Sequence, residues 1–156
     1  MRAQEETLRY YELYGDMFFR ICFLRLKNRQ DAYDAVQETF IRLIQSEKRF
    51  ENEEHAKAWL FAVAGNICKN MQKEFWNKNR VNDDVFFLLS GEEEDMENSE
   101  VLEAVLALPE KYKELVYLHY YEGYSVEEIA RFLGKNASTL RSRLSKAKEL
   151  LRKKLV

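Results

Sequence analysis

Between Gly123 and Lys148 the chain reads GYSVEEIARFLGKNASTLRSRLSKAK, two short helical patterns on either side of one glycine. Ser125 is a good N-cap and Glu128 stands three residues on, so hydroxyl and carboxylate can each satisfy an orphan backbone N–H at a helix start. Ile129, Ala130 and Leu133 form the inward stripe of this helix. Gly134 follows where the chain needs a left-handed residue, a conformation that glycine takes without a Cβ penalty. Asn136 is placed to cap a second helix, in which Leu140, Leu144, Ala147 and Leu151 recur at three- and four-residue spacing. The small Ala130 before the glycine and the apolar Leu140 after it let two helices cross closely, as in a helix-turn-helix. From Gly134 to Val156 eight Lys or Arg stand against the single acid Glu149, a net +7. Such an outward face suits DNA phosphates, and the other reading of the same pattern is a helical hairpin with a solvated charged face.

The whole chain has 156 residues, of which 33% are charged, a composition that favours small helical units over one large core. Its charge is uneven. Residues 1–80 carry 14 basic and 12 acidic groups, 81–100 carry none and 8, and 101–156 carry 11 and 7. An acidic connector between two mildly basic ends points to ends that approach a polyanion while the middle does not. Cys22 and Cys68 stand among apolar residues with neither CxxC nor Cys/His spacing, so buried free thiols are expected and no metal. No apolar run is long enough to span a bilayer and no cleavable signal is present, so a cytoplasmic location without membrane insertion is expected.

Toward the N-terminus, Leu8, Tyr11, Tyr14, Phe18, Ile21 and Cys22 recur at helical spacing and predict one long inward stripe from Glu5 to Leu26, or two helices abutting at Gly15. A second helix is predicted from Asp31 to Gln45, with Ala32, Ala35, Val36, Thr39, Phe40, Leu43 and Ile44 inward. Its other face carries Asp34, Gln37, Glu38, Ile41 and Gln45. One isoleucine ringed by polar groups is either a solvated face or a protein-binding spot. The segment SEKRFENEE (46–54) has no stripe and reads as a loop bearing Lys48, Arg49 and Phe50. A third helix, from about His55 to Asn77, is predicted to turn Trp59, Leu60, Val63, Ile67 and Met71 inward and Phe61, Lys69, Lys73 and Trp76 to other faces. Aromatics among lysines can stack on unpaired bases, or be ordinary core. Residues 81–100 break the periodicity and form the linker, with a VFFLL patch. A helix from Glu100 to Leu108 and another opening at Pro109 would support the helix-turn-helix. The expected fold is thus all-α, two small helical domains (1–80 and 101–156) joined by a flexible acidic linker.

At DAYDAVQETFIRLI (31–44), AWLFAVAGNI (58–67) and LPEKYKELVYLHYYEGYSVEEIARFLGKNASTLRSRL (108–144), the chain resembles bacterial RNA polymerase sigma factors of the extracytoplasmic-function group. The resemblance spans nearly the whole sequence. It implies a factor that binds core RNA polymerase and directs promoter-specific initiation, with no cofactor and no catalysis of its own. By the same resemblance, Asp34, Gln37, Glu38, Phe40, Ile41 and Ile44 would face the clamp helices of the large catalytic subunit. Lys48, Arg49, Phe50, Trp59, Phe61, Asn66, Lys69 and Lys73 would bind the minus-10 element as a flipped base is captured. In the recognition helix, Ser138, Arg141, Ser142 and Ser145 would lie nearest minus-35 bases, and Thr139, Arg143, Lys146 and Lys148 nearer phosphates. The family often carries arginines where this chain has Ala62 and Gly65, so duplex contacts by the third helix are expected to be either weaker or shifted to Lys69 and Lys73. An anti-sigma factor is the partner expected to supply sensing.

Two other function classes bear on the same residues. A dimeric helix-turn-helix regulator would share the C-terminal pattern but would not need the 31–44 helix. A helical enzyme would need a site, and His55 and His119 stand far apart with no nucleophile motif or metal-ligand spacing to join them.

Overall fold

A computed structural model describes residues 2–75, 100 and 103–155, all in helices or the turns between them. Trp76, the VFFLL patch and all of the expected linker except Glu100 lie outside the described residues. The chain separates into two compact units, Met1–Asn82 and Asp83–Val156.

The first unit contains three helices: α1 (Gln4–Leu26), α2 (Arg29–Gln45) and α3 (Glu53–Phe75). Helix α1 is continuous through Gly15. It stops at Lys27, which takes a left-handed conformation (φ 55°) and donates its N–H to Phe23 O at 2.8 Å. Asn28 then caps α2 by accepting from the Asp31 N–H at 2.9 Å. The start of α2 therefore lies two residues earlier than predicted, because the capping amide was read as part of the break. In the same way Asn52 accepts from the His55 N–H at 2.8 Å, so α3 begins at Glu53.

Phe18 is fully buried where the three helices meet, with ring centres 6.4 Å from Phe40 of α2 and 4.8 Å from Phe61 of α3. Around it pack Ile21, Cys22, Phe23 and Leu24, then Ala32, Ala35, Val36 and Leu43, then Ala56, Leu60, Ala64, Ile67 and Cys68. Both cysteines are thiols buried in this core. Thr39 is fully buried and donates its hydroxyl to Ala35 O at 2.7 Å, so its polar atom is satisfied without water.

Two predicted stripes were rotated. Leu8 and Tyr11 are 53% and 39% exposed, not core, because Tyr10 and Tyr14 occupy the side of α1 that α3 covers. Phe61 is 3% exposed and belongs to the core, while Trp59, Val63 and Met71 are half-buried. Phe61 comes inward because the large ring of Phe18 is its partner.

Among the described residues of the second unit, Glu100 and residues 103–106 are helical. Then comes α4 (Glu110–Val116), whose N-cap position is Pro109, one residue before the helical position expected for it. Helix α4 widens into a π-helical turn, Tyr117–Tyr121, which the sequence pattern did not announce. Gly123 turns the chain (φ 80°) into α5 (Val126–Leu133), and Gly134 (φ 64°) turns it into α6 (Ala137–Leu155). The capping box at Ser125 and Glu128 is formed in both directions, at 3.0 and 3.1 Å. Val126, Ile129, Ala130 and Phe132 of α5 meet Leu140, Leu144 and Ala147 of α6 in the core. Leu133 and Leu151 are half-buried. Among the described residues there is no strand, and no helix is long and apolar enough to cross a membrane.

Gly134 has open space where a Cβ would stand, so a substitution there meets only backbone strain. Gly134→Ala should lower the unfolding free energy by about 1 kcal/mol, the left-handed penalty partly offset by a less flexible unfolded chain. Gly134→Asn should lose less, because its side chain tolerates this region. Urea unfolding of the full chain measures both.

A second expectation concerns Glu53, at the start of α3. The Tyr14 hydroxyl donates to it at 2.6 Å and Arg9 pairs with it, and these two donors, Tyr14 first, hold its carboxyl below the usual carboxylate range. A lowered folded-state pKa contributes stability above the unfolded value, near 4.5, that is lost as pH falls through the folded value. Glu53→Gln should therefore unfold slightly more easily than the parent at neutral pH. The difference should vanish below the folded pKa in melts across an acid series.

Candidate functional site

Three surfaces carry the residues singled out by sequence. The first lies between the N-terminal half of α1 and the C-terminal half of α2. The Arg2 backbone N–H donates to Ile44 O at 2.8 Å, which sets these helices side by side in opposite directions. They leave an open cleft of about 270 Å³ lined by Gln4, Thr7, Leu8, Tyr11, Gln37, Phe40, Ile41 and Ile44. Phe40 forms its floor, 6% exposed, with the Tyr11 ring edge-on at 5.1 Å. Ile41, one residue along, is 45% exposed at its rim, while Ile44, expected inward, is half-buried. Of the residues expected to face a protein partner, Gln37, Phe40, Ile41 and Ile44 line the cleft. Asp34 and Glu38 do not: Asp34 accepts from Gln30 at 2.9 Å and Glu38 from Arg42 at 3.2 Å along the same helix. The contribution of α1 was missed in the sequence. Its signal was an apolar stripe too wide for one buried face, with Leu8 and Tyr11 beside Tyr10 and Tyr14.

The second surface combines the 46–52 loop with the outer side of α3. Arg2 organises the loop: its guanidinium donates to Leu43 O at 3.1 Å and to Lys48 O, and lies 4.7 Å over the Phe50 ring. Phe50 is half-buried among Tyr10, His55 and Trp59, with the Trp59 ring 5.8 Å away. Lys48 and Arg49 are exposed beside this cluster, and Asn66, Lys69 and Lys73 are exposed along α3. Phe61 leaves the group, since its ring is in the core. Gly65 admits a cation from elsewhere: an Arg25 nitrogen lies 2.8 Å from where a Cβ would stand. No one-dimensional pattern could have placed Arg25, forty residues earlier, against α3.

The third surface is the outer face of α6. Ser138, Thr139, Arg141, Ser142, Ser145, Lys146 and Lys148 are exposed, and Arg143 is half-buried. Asn136 Oδ1 accepts from the Ser138 N–H at 2.9 Å and from its hydroxyl at 2.7 Å, which leaves that hydroxyl oxygen as an acceptor. Arg141 donates to Glu127 of α5 at 2.8 Å. Lys146 and Lys153 each stand 3.7 Å from Glu149, and Lys148 lies 5.9 Å over the Tyr120 ring.

Comparison with known proteins matches residues 10–76 to the family Sigma-70 region 2 and residues 98–151 to Sigma-70, region 4. The chain is 33% identical over 137 residues to RNA polymerase sigma factor SigV of Bacillus subtilis, covering 86% of this chain and 82% of SigV. It is 31% identical to the extracytoplasmic-function (ECF) RNA polymerase sigma-E factor of Haemophilus influenzae, covering 84% of this chain and 78% of that one. Among solved structures, it shares its fold with the sigma factor RpoE of Bartonella quintana, determined with the anti-sigma factor NepR. The TM-score is 0.72 at 20% identity, over 97% of each chain.

Arg2→Ala should free the loop more than it weakens the core. Amide exchange at residues 47–51 should speed up by at least tenfold, while the helical signal stays. Unchanged exchange would mean that the Phe50 cluster orders the loop without Arg2.

Proposed function

Since the chain belongs to the extracytoplasmic-function sigma factors, which direct promoter-specific transcription by RNA polymerase, we propose that its two helical units divide that task. In this reading residues 1–80 grip core polymerase and the minus-10 element, and residues 101–156 read the minus-35 element. The dimeric-regulator reading is not favoured, because the N-terminal unit matches a sigma-factor region.

The observation that carries the polymerase assignment is the cleft beside Ile41. Leu8, Tyr11 and Ile41 expose apolar surface around a floor that Phe40 already closes, so folding does not require them there. A groove between two helices suits an apolar helical edge, and the polymerase clamp helices supply one in this reading. At the minus-10 element, Lys48, Arg49, Asn66, Lys69 and Lys73 follow the strand while Phe50 and Trp59 flank an extruded base. On α6, Arg141, Ser142 and Ser145 address base edges, and Thr139, Arg143, Lys146 and Lys148 address phosphates, with Ser138 restricted to accepting. The factor lends position and the polymerase performs the chemistry, in the cytoplasm where the enzyme works. An anti-sigma factor covering these faces would keep the protein inactive, a reading supported by the NepR complex of the structural relative.

Ile41→Ala tests the cleft. Melting should stay within roughly 0.5 kcal/mol of the parent, as surface changes usually do. Affinity for core polymerase should fall on the order of thirtyfold, the effect of truncating a central anchor worth about 2 kcal/mol. A variant that melts early and binds normally would make Ile41 a packing residue.

Lys146→Ala should weaken binding by a similar factor on all promoter sequences and lower the salt slope by roughly 0.9, since a phosphate contact carries no base information. Altered base preference at constant slope would move Lys146 to a base edge.

A further inference from the structure

Arg141 and Glu127 form an ion pair whose geometry is not explained by folding. The Arg141 Nη1 donates to Glu127 Oε2 at 2.8 Å, from the recognition helix α6 to the preceding helix α5. Both side chains are 57% exposed. An ion pair so open to water is screened and adds little stability. The start of helix α5 is also closed without Glu127, because Glu128 and Ser125 form the capping box. The pair does something definite to Arg141, however. A long side chain that would otherwise sample many rotamers is biased toward one orientation by its contact with a neighbouring helix.

We propose that Glu127 is a positioning residue for base recognition: its carboxylate, reaching from α5, holds the Arg141 guanidinium in the orientation from which it reads a base. This rests on the reading of Arg141 as a base-edge residue. A guanidinium carries five N–H donors in a planar fork, and Glu127 takes one of them. The remaining donors can still meet the O6 and N7 acceptors of a guanine in the major groove. Fixing the side chain before DNA arrives removes part of the ordering that binding would otherwise impose, and confines the fork to one plane. Lys146 and Lys153 show the contrast. They meet Glu149 on their own helix at 3.7 Å, outside hydrogen-bond distance, as suits cations that serve as point charges for phosphates.

A carboxylate beside a polyanion also has a cost, and that gives the proposal its signature. Glu127 repels phosphates whatever the sequence, so it lowers binding to every fragment while it sharpens the choice among them. Removing it should move affinity and discrimination in opposite directions. Loss of a structural contact would lower affinity throughout, and loss of simple repulsion would raise affinity and leave discrimination unchanged.

The experiment uses the holoenzyme, the full chain with core polymerase, and promoter fragments that differ singly at each minus-35 position. Arg141→Ala first identifies the position at which preference is lost. At that position Glu127→Ala should reduce the preference by about threefold, the most an exposed pair can supply being roughly fivefold, and raise affinity for mismatched fragments several-fold at low salt. Glu127→Gln, whose amide oxygen still accepts from Arg141, should keep most of the preference while sharing the rise in affinity. In an Arg141→Ala background, Glu127→Ala should change preference no further. The proposal is overturned if Glu127→Ala shifts all fragments by one common factor. If Arg141→Ala itself leaves every preference intact, the base-reading role of Arg141 fails and the positioning role of Glu127 falls with it. Thermal melts of the variants separate these outcomes from misfolding, which an exposed position makes easy to exclude.

Discussion

The ring of Phe18, closed between Phe40 and Phe61, decides how the first unit presents itself. A buried phenylalanine contributes about 1.5 to 3 kcal/mol, and aromatic pairs add to that, so this contact dictates the rotation of all three helices. Phe40 points in with Thr39 and Leu43 on one side of it, and at 100° per residue in the other direction Ile41 falls outside that face. Phe61 must point in, which leaves Ala62 and Asn66 outside and Trp59 at the edge. On α1 the same constraint gives Tyr10 and Tyr14 to the α3 side and leaves Leu8 and Tyr11 on the rim of the cleft. The proposed polymerase-binding surface is a consequence of where the core ring lies.

In the second unit the equivalent constraint is local. The capping box at Ser125 and the left-handed Gly134 fix where α5 begins and ends, and the Asn136 cap fixes the first turn of α6. With Leu140, Leu144 and Ala147 held inward, the basic side chains of α6 have only the outer face to occupy. Glu127 is the acid on α5 that reaches that face, and its place in the first helical turn puts it beside Arg141.

These differences in scale explain what could be read without coordinates. Caps and glycine turns are encoded within four residues, so the helix-turn-helix was legible down to its hydrogen bonds. The inward face of α2 was legible because small and large apolar residues alternate there in a clean period. Long α1 and α3 carry apolar residues on more than one side, and there the period cannot say which stripe is covered. Leu8, Tyr11 and Phe61 were misassigned for that reason. Arg2, Arg25 and Glu127 were invisible, because each acts on a residue of another helix or loop that only tertiary packing brings near. The π-helical turn at Tyr117–Tyr121 has no sequence signal that we can identify.

The division of labour between the units turns on whether the α1/α2 cleft meets core polymerase. A photo-crosslinking amino acid placed at Leu8, on the cleft rim, and another at Leu13, equally exposed on the same helix but outside the cleft, compare the two faces directly. After irradiation of the assembled holoenzyme, the Leu8 position should crosslink to the large catalytic subunit and the Leu13 position should not. A crosslink from Leu13 with none from Leu8 would contradict the cleft as the polymerase-binding surface.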